Sequence, residues 1–143
     1  MEKSNKNAQK IQEIVIDASN CILGRMASYA AKQALLGKKV VIVNCDAVLL
    51  TGRKRMVINE YNLSRRRGGT SLNGPHFPKH SDRIVKRTVR GMLSYTQLRG
   101  LDALKRVICY SNLPQEYESA KKINIPAKTK SRTMSLQELS KEI

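Results

Sequence analysis

The sequence has 143 residues, 41% of them hydrophobic, and carries 27 Lys and Arg against 11 Asp and Glu, a net charge of +16. This length suits one domain with a real core and leaves no room for two, and the hydrophobic content excludes a chain that is disordered throughout. Such an excess of positive charge indicates a polyanionic partner, with nucleic acid as the first candidate. Residues 53–90 hold eleven basic residues against only Glu60 and Asp82, so the charge is concentrated there.

The N-terminal part of the sequence predicts an α/β scaffold. Residues 1–12 are polar and mildly basic, which is typical of a flexible tail. The apolar runs at 13–17 and 39–44 predict two strands, and the β-branched second run favours burial on both faces of a parallel sheet. Together with a helix over 21–36 they form a βαβ unit. Ser19 or Asn20 can cap this helix, and Gly37 closes it.

The remaining elements are predicted in the following order. Residues 45–52 form an apolar connection, and 53–65 fit a helix or an irregular strand equally well. Ser81 can cap a helix that runs to about Ser94. A short helix at 100–105 and a buried strand at 106–110 follow, and the sequence match of Ser135–Glu138 to a capping box predicts a short last helix. The chain thus divides into a tail (1–12), an α/β domain (13–120) and a basic C-terminal segment (121–143).

Several classes of site are disfavoured by spacing. Gly69 and Gly74 have the separation of a phosphate-binding loop, but Pro75 and His76 stand where Lys and Ser or Thr are required. His76 and His80 lack the further ligands that zinc needs, so no metal and no cofactor are expected. The acids form no evident pair, and no catalytic Ser-His-Asp or Cys-His constellation appears, which weakens the enzyme hypothesis without excluding it.

Cysteines and hydropathy bear on the compartment. The three cysteines, Cys21, Cys45 and Cys109, have no CxxC spacing and are expected to be buried thiols in a reducing cytosol. No apolar run approaches the length of a membrane span, and the polar start of the sequence does not fit a signal peptide. A cytoplasmic protein with no membrane partner and no small-molecule substrate is predicted.

The strongest physical signal is the helix that follows Ser81. Its positions Arg83, Lys86, Arg87 and Arg90 fall within about 100° of one another on a helix, whereas Val85, Thr88, Val89 and Met92 occupy the opposite face, which is expected to pack on the core. A solvated helix face normally mixes charges of both signs, but this stripe has no acid beyond Asp82 at its start. The pattern therefore indicates a polyanion-binding face.

Residues 64–80 predict a basic extended arm that continues this face. Arginine guanidinium groups suit phosphate, glycines let the backbone approach closely, and prolines keep the segment extended. Such an arm is expected to be poorly ordered alone and fixed by nucleic acid. With five Tyr, one Phe and no Trp in the chain, a stacking platform is not expected, and recognition should run through backbone and shape. The predicted arm contacts are Arg65, Arg66, Arg67, Gly68, Gly69, His76, Lys79 and His80.

Three stretches in this order, "LGRMASYAAKQALLGKKVVIVNCDAVLLTG", "GPHFPKHSDRIVKRTVRGML" and "NLPQEYE", resemble the universal large-subunit ribosomal protein thirteen family. The resemblance covers residues 13–125, and the length and the loop form "GP-x-F-P-K" are closer to the archaeal branch.

The resemblance implies a three-layer α/β/α fold around a small, mostly parallel sheet, and a structural, non-catalytic role in the large ribosomal subunit. It implies that the arm and the helix around "RTVRGML" lie along ribosomal RNA, joined by Arg53, Lys54 and Arg55. Lys128 and Lys130 of the basic C-terminal segment complete the predicted RNA contacts. Neighbouring large-subunit proteins are the other expected partners. A small RNA-modifying or nucleotide-dependent enzyme and a free-standing regulatory RNA-binding protein are the alternatives.

Overall fold

A computed structural model describes residues 12–67, 75–126 and 130–143. Gly68, Gly69 and Lys128, three of the predicted RNA contacts, lie outside these ranges, as do residues 1–11. The strands within them are β1 (Glu13–Asp17), β2 (Lys39–Val43), β3 (Leu49–Thr51), β4 (Val107–Cys109), β5 (Lys122–Asn124) and β6 (Thr133–Ser135). The helices are α1 (Leu23–Leu35), α2 (Lys54–Arg66), α3 (Ser81–Gly91), α4 (Leu98–Lys105) and α5 (Leu136–Glu142).

The main sheet has four strands in the order β4-β2-β1-β5, and every neighbouring pair is parallel. The predicted βαβ unit is confirmed, with Ile16 of β1 beside Ile42 of β2. Residues 40–43 of β2 are all buried, as expected of a strand covered on both faces. The α/β class and the mostly parallel sheet are therefore as predicted.

Three layers result from the way in which side chains alternate along β1 and β2. Ile16, Val40 and Ile42 join the larger core together with buried residues of α1, α3, α4 and α5. Val15 and Val41 point to the other face, which is covered by the segment 110–120 and its short 3-10 turn. One outer layer is thus helical and thick, and the other is thin.

A second, two-stranded antiparallel sheet was not predicted. Strand β3 lies inside the apolar connection 45–52 and pairs with β6, which places Thr51 opposite Thr133. Strand β5 was missed as well, because it is only three residues long and none of them is fully buried. The capping box that leads into α5 is confirmed at its first bond, since Ser135 Oγ accepts a 3.3 Å hydrogen bond from the Glu138 N–H. Leu136 and Leu139 of α5 are fully buried.

Two of the predicted helix starts were wrong. Ser19 does not cap α1, because its N–H and Oγ both donate to Asp17 Oδ1, at 3.1 and 2.7 Å. The residue before the helix is Ile22, which provides no side-chain cap. Ser81 is the buried first residue of α3 and not its cap.

The ends of two helices also correct the sequence interpretation. Helix α3 ends at Gly91 and not near Ser94, so Met92 leaves the buried face on which the helical pattern had placed it and is 43% exposed. The ambiguous stretch 53–65 is a helix, and α2 extends through Arg66. Residues 64–66 therefore belong to this helix and not to the extended arm. Gly37 closes α1 in a left-handed conformation, as predicted.

Candidate nucleic-acid interface

Helix α3 separates apolar from charged side chains as its sequence predicts. Val85 and Val89 are fully buried and Ile84 nearly so, which fixes the helix against the core. Arg83, Lys86 and Arg90 are exposed, and Arg87 is half-buried. We call these four residues the cationic face. The helix thus anchors one side through apolar burial and presents four positive charges on the other.

Arg87 differs from Arg83 and Lys86 because it has partners inside the chain. Its Nη1 donates a 2.9 Å hydrogen bond to the main-chain carbonyl of His76, and its guanidinium carbon lies 4.0 Å from the centre of the Phe77 ring. The first contact is charge-assisted and the second is a cation–π contact. Arg87 therefore holds the end of the predicted arm, residues 76–77, against α3. That the arm is poorly ordered without nucleic acid stays a prediction.

A groove of about 410 Å³ lies between α3 and this segment. We call it the α3 groove. Phe77, Pro78 and Leu104 supply its apolar surface. Its polar lining comes from His76 and the cationic face: His76, Arg83, Lys86, Arg87 and Arg90. The end of the predicted arm, the cationic face and α4 thus meet in one concave, positively charged site.

Helix α2 reaches the same region through its C-terminal half. Tyr61 lines a smaller cavity of about 240 Å³ together with Phe77, Pro78 and Arg87. Burial raises the pKa of the Tyr61 hydroxyl, and the negative charge of Glu60 acts in the same direction. Tyr61 is therefore neutral at physiological pH and supports the segment 77–78 from behind.

The other predicted contacts divide by position. Arg53, Lys54 and Arg55 stand at the N-terminal end of α2, about 20 Å along the helix from its C-terminal arginines. Lys54 is 3.5 Å from a Glu142 carboxylate oxygen, and Arg65 donates to the main-chain oxygen of Ile143. These two side chains hold α5, so the structure does not bring them into the α3 groove.

The remaining predicted RNA contacts that the structure describes are exposed, and none of them lines the α3 groove. This group comprises Arg66, Arg67, Lys79, His80 and Lys130. Within the described ranges, the ion pairs are Lys39–Glu13, Lys54–Glu142 and Lys105–Asp102. The cationic face has no ion pair to any described residue, so its charge is not neutralised by that part of the chain.

Other kinds of site find no support among the residues that the structure describes. No group of three or more His, Cys, Asp or Glu there could hold a metal ion. No described helix is long and apolar enough to cross a membrane. Cys21 and Cys45 are buried and Cys109 is partly buried, all three as free thiols. A hydrogen bond with Cys109, together with burial, raises the pKa of the Cys45 thiol, so it remains protonated.

Sequence reasoning missed the aromatic and apolar members of this site. Phe77 and Leu104 were not candidates, and Tyr95, whose ring centre lies 4.5 Å from the Arg90 guanidinium carbon, was not considered. The signal available for Phe77 was its place between Pro75 and Pro78, where an aromatic side chain in an otherwise polar segment needs a packing partner. Leu104 carried no signal, because it lies in a different helix.

Comparison with known proteins identifies the family. The family model described as ribosomal protein L13 matches residues 11–116. A protein from Methanococcoides burtonii, called large ribosomal subunit protein uL13, is 45% identical over 111 residues, 78% of this chain and 79% of that protein. The protein of that name from Methanocaldococcus jannaschii is 39% identical over 132 residues, 90% and 96% of the two chains. The chain belongs to the ribosomal protein L13 family, in its archaeal-type branch.

Proposed function

We propose that this protein holds large-subunit ribosomal RNA through its cationic face and the adjoining segment 75–80. As a member of the L13 family the chain is a structural constituent of the large ribosomal subunit and not an enzyme. It associates with ribosomal RNA and ribosomal proteins of that subunit. The relatives named above are archaeal proteins, and the proposal therefore includes a cytoplasmic ribosome as its location.

One observation carries the choice of surface. Arg83, Lys86 and Arg90 are exposed on one side of a helix whose opposite side is fixed in the core. Like charges at three- and four-residue spacing on a helix repel one another and destabilise it. A polyanion that neutralises these charges removes that cost and releases its own counterions, which favours binding. The RNA backbone offers a phosphate at every nucleotide and meets this requirement.

The proposal extends to the other predicted contacts. Arg66, Arg67, Lys79, His80 and Lys130 are exposed and accessible to RNA. Arg53 and Arg55 are exposed at the far end of α2 and would require a second RNA segment. Gly68, Gly69 and Lys128 remain predicted contacts from the sequence alone.

The test is the salt dependence of binding. The triple variant R83Q/K86Q/R90Q removes three cations, while Arg87 and its contacts to the arm stay in place. We expect the affinity for a large-subunit ribosomal RNA transcript to fall about a hundredfold at 0.15 M salt. The slope of the logarithm of the association constant against the logarithm of the salt concentration is negative, and we expect its magnitude to decrease by about two to three. Filter binding or fluorescence anisotropy at four or more salt concentrations measures both quantities.

A matched triple variant controls for net charge. R25Q/K32Q/K141Q removes three exposed cations from α1 and α5, none of which lines the α3 groove. We expect its slope to stay close to that of the unmodified chain. Equal losses in the two triple variants would overturn the assignment of the surface, because they would show that only total charge matters. Circular dichroism melts confirm that both variants are folded.

Co-sedimentation checks the ribosomal role against the free-standing regulatory RNA-binding protein that the sequence alone left open. A subunit constituent co-sediments with the large subunit through a sucrose gradient at high salt, because many contacts hold it. A regulatory protein would remain at the top of the same gradient while still binding a short transcript.

A further inference from the structure

We propose that the α3 groove binds one unpaired nucleotide of the RNA, with its base on the apolar surface and its phosphate on the cationic rim. This inference rests on the proposed RNA-binding function and adds to it a recognition step. The sequence predicted recognition through backbone and shape alone, because aromatic residues are scarce. A single aromatic residue in the right place is sufficient for one base.

The apolar surface of the groove carries the inference towards a base. Phe77, Pro78 and Leu104 are half-buried and stand beside charged side chains. A phosphate needs only the cations and gains nothing from an aromatic ring. Bases, in contrast, stack on aromatic rings and on guanidinium planes, and the guanidinium of Arg87 lies over the Phe77 ring, so that the two groups already form a stack. A base entering the groove would extend this stack.

The charged side chains that line the groove favour a whole nucleotide over a base alone. Arg83, Lys86 and Arg90 are exposed and follow one side of α3 at three- and four-residue spacing. Phosphates next to a bound base would lie within reach of their long side chains. The volume of about 410 Å³ is in the range of about 300–1,000 Å³ that is typical of small-ligand sites. The groove is therefore large enough for a nucleotide and has charge to match.

The nucleotide must be unpaired because of the shape of its site. The bases of an RNA helix are stacked inside it, and the deep, narrow major groove of A-form RNA keeps side chains from their edges. A concave site between a helix and an extended segment receives a base only when that base is splayed out of its stack. We therefore expect the contact at a loop, a bulge or a junction of the ribosomal RNA.

Nucleoside monophosphates test the site directly, without ribosomal RNA. We would record amide NMR spectra of the full chain with each of the four nucleoside 5′-monophosphates, with ribose 5-phosphate and with inorganic phosphate. We expect at least one nucleoside monophosphate to shift the amides of Phe77, Arg87 and Leu104 at about tenfold lower concentration than ribose 5-phosphate does. Shifts that are equal for all ligands would show a phosphate site only and would overturn the proposal.

Two variants of Phe77 separate stacking from folding. Phe77→Leu keeps an apolar side chain but removes the ring, and we expect it to abolish the preference for nucleoside monophosphate over ribose 5-phosphate. Phe77→Tyr keeps the ring and should retain the preference. If the preference survived in Phe77→Leu, the base would not stack on this residue and the proposal would fail. Unchanged core amides, such as those of Val41 and Leu139, verify that both variants fold.

The salt-dependence experiment distinguishes failure of this inference from failure of the proposed function. Phe77→Leu should weaken binding to the ribosomal RNA transcript about tenfold with an unchanged salt slope, because it removes no charge. R83Q/K86Q/R90Q should lower the slope. A lowered slope in the triple variant together with unaltered RNA binding by Phe77→Leu would reject the nucleotide site and retain the RNA-binding face. An unaltered slope in the triple variant would reject the RNA-binding face itself.

Discussion

Helices α1 and α3 pack against the same core and against each other, but they differ in the amount of positive charge on their exposed sides. Helix α1 buries six residues, four of them alanine, and its C-terminal end is closed within the chain: Gly37 N–H and Arg106 Nη1 both donate to the Ala34 carbonyl, at 3.1 and 3.2 Å. Helix α3 also buries its apolar side, through Ile84, Val85 and Val89, but carries four cations on the other. The C-terminal end of the first helix is thus satisfied within the chain, whereas we propose that RNA phosphates neutralise the four cations of the second.

This difference separates stability from function within one core. The buried side of α3 serves folding, as α1 does, and we propose that the exposed side serves RNA binding. Substitutions on the two sides of the same helix should therefore act on different measurements, unfolding on one side and RNA affinity on the other. Two predictions on α3 test this division, and a third tests the turn before α4, the helix that supplies Leu104 to the groove; they follow from the largest expected effect to the smallest.

The buried side of α3 gives the largest effect. Ile84 is 3% exposed and packs in the larger core, so Ile84→Ala removes buried methyl groups and leaves a cavity. We expect a loss of about 2–5 kcal/mol in the free energy of unfolding. Urea denaturation of the free chain measures it. Leu98→Ala is the control, since Leu98 is 81% exposed and its truncation should change stability by less than about 0.5 kcal/mol. A small effect of Ile84→Ala would mean that α3 is not anchored by its apolar side.

Sequence patterns predicted this division well where it depends on periodicity. The helical spacing of α3 predicted its buried and exposed sides, which are confirmed as far as the helix end at Gly91. The β-branched run of β2 predicted a strand buried on both faces, which is also confirmed. Resemblance to a family supplied the layered fold, which no single pattern shows.

The parts that were missed depend on contacts between distant residues. Strands β3, β5 and β6 have three residues each, too few for a period, and are defined by partners far away in the sequence. The role of Arg87 was missed for the same reason. Its charge and helical position match those of Arg83, and only the approach of His76 and Phe77 gives it a different task.

A close approach in α4 gives the next prediction. A Cβ on Gly100 would lie 2.1 Å from the main-chain oxygen of Ser94. The turn that precedes α4 therefore leaves room only for glycine at position 100 of the helix. We expect Gly100→Ala to cost about 1–3 kcal/mol in unfolding free energy through forced displacement of the backbone. Since Leu104 follows one turn later in α4, the same variant should also disturb the α3 groove.

Gly24→Ala is the matched control for that change. A Cβ on Gly24 meets no atom within 4 Å, and the residue lies in the first turn of α1. Alanine should therefore stabilise the helix by about 0.4–1 kcal/mol. Thermal melts of the two variants should shift in opposite directions. A melting temperature that rises in Gly100→Ala as well would mean that the backbone before α4 moves aside at little cost in free energy.

The smallest effect contrasts two arginines of the cationic face. Arg83 lies in the first turn of α3, where the helix dipole disfavours a cation, and has Lys86 and Arg87 at three and four positions further on. Arg83→Gln should therefore stabilise the free chain by about 0.5 kcal/mol at low salt, and screening should reduce this gain at 1 M salt. Arg87→Gln should instead destabilise it by about 1 kcal/mol, because the bond to His76 and the contact with Phe77 are lost. Melting curves of both variants at two salt concentrations measure the contrast. If Arg83→Gln destabilised the chain as Arg87→Gln does, Arg83 would have a partner inside the protein, and α3 would be as complete without RNA as α1 is.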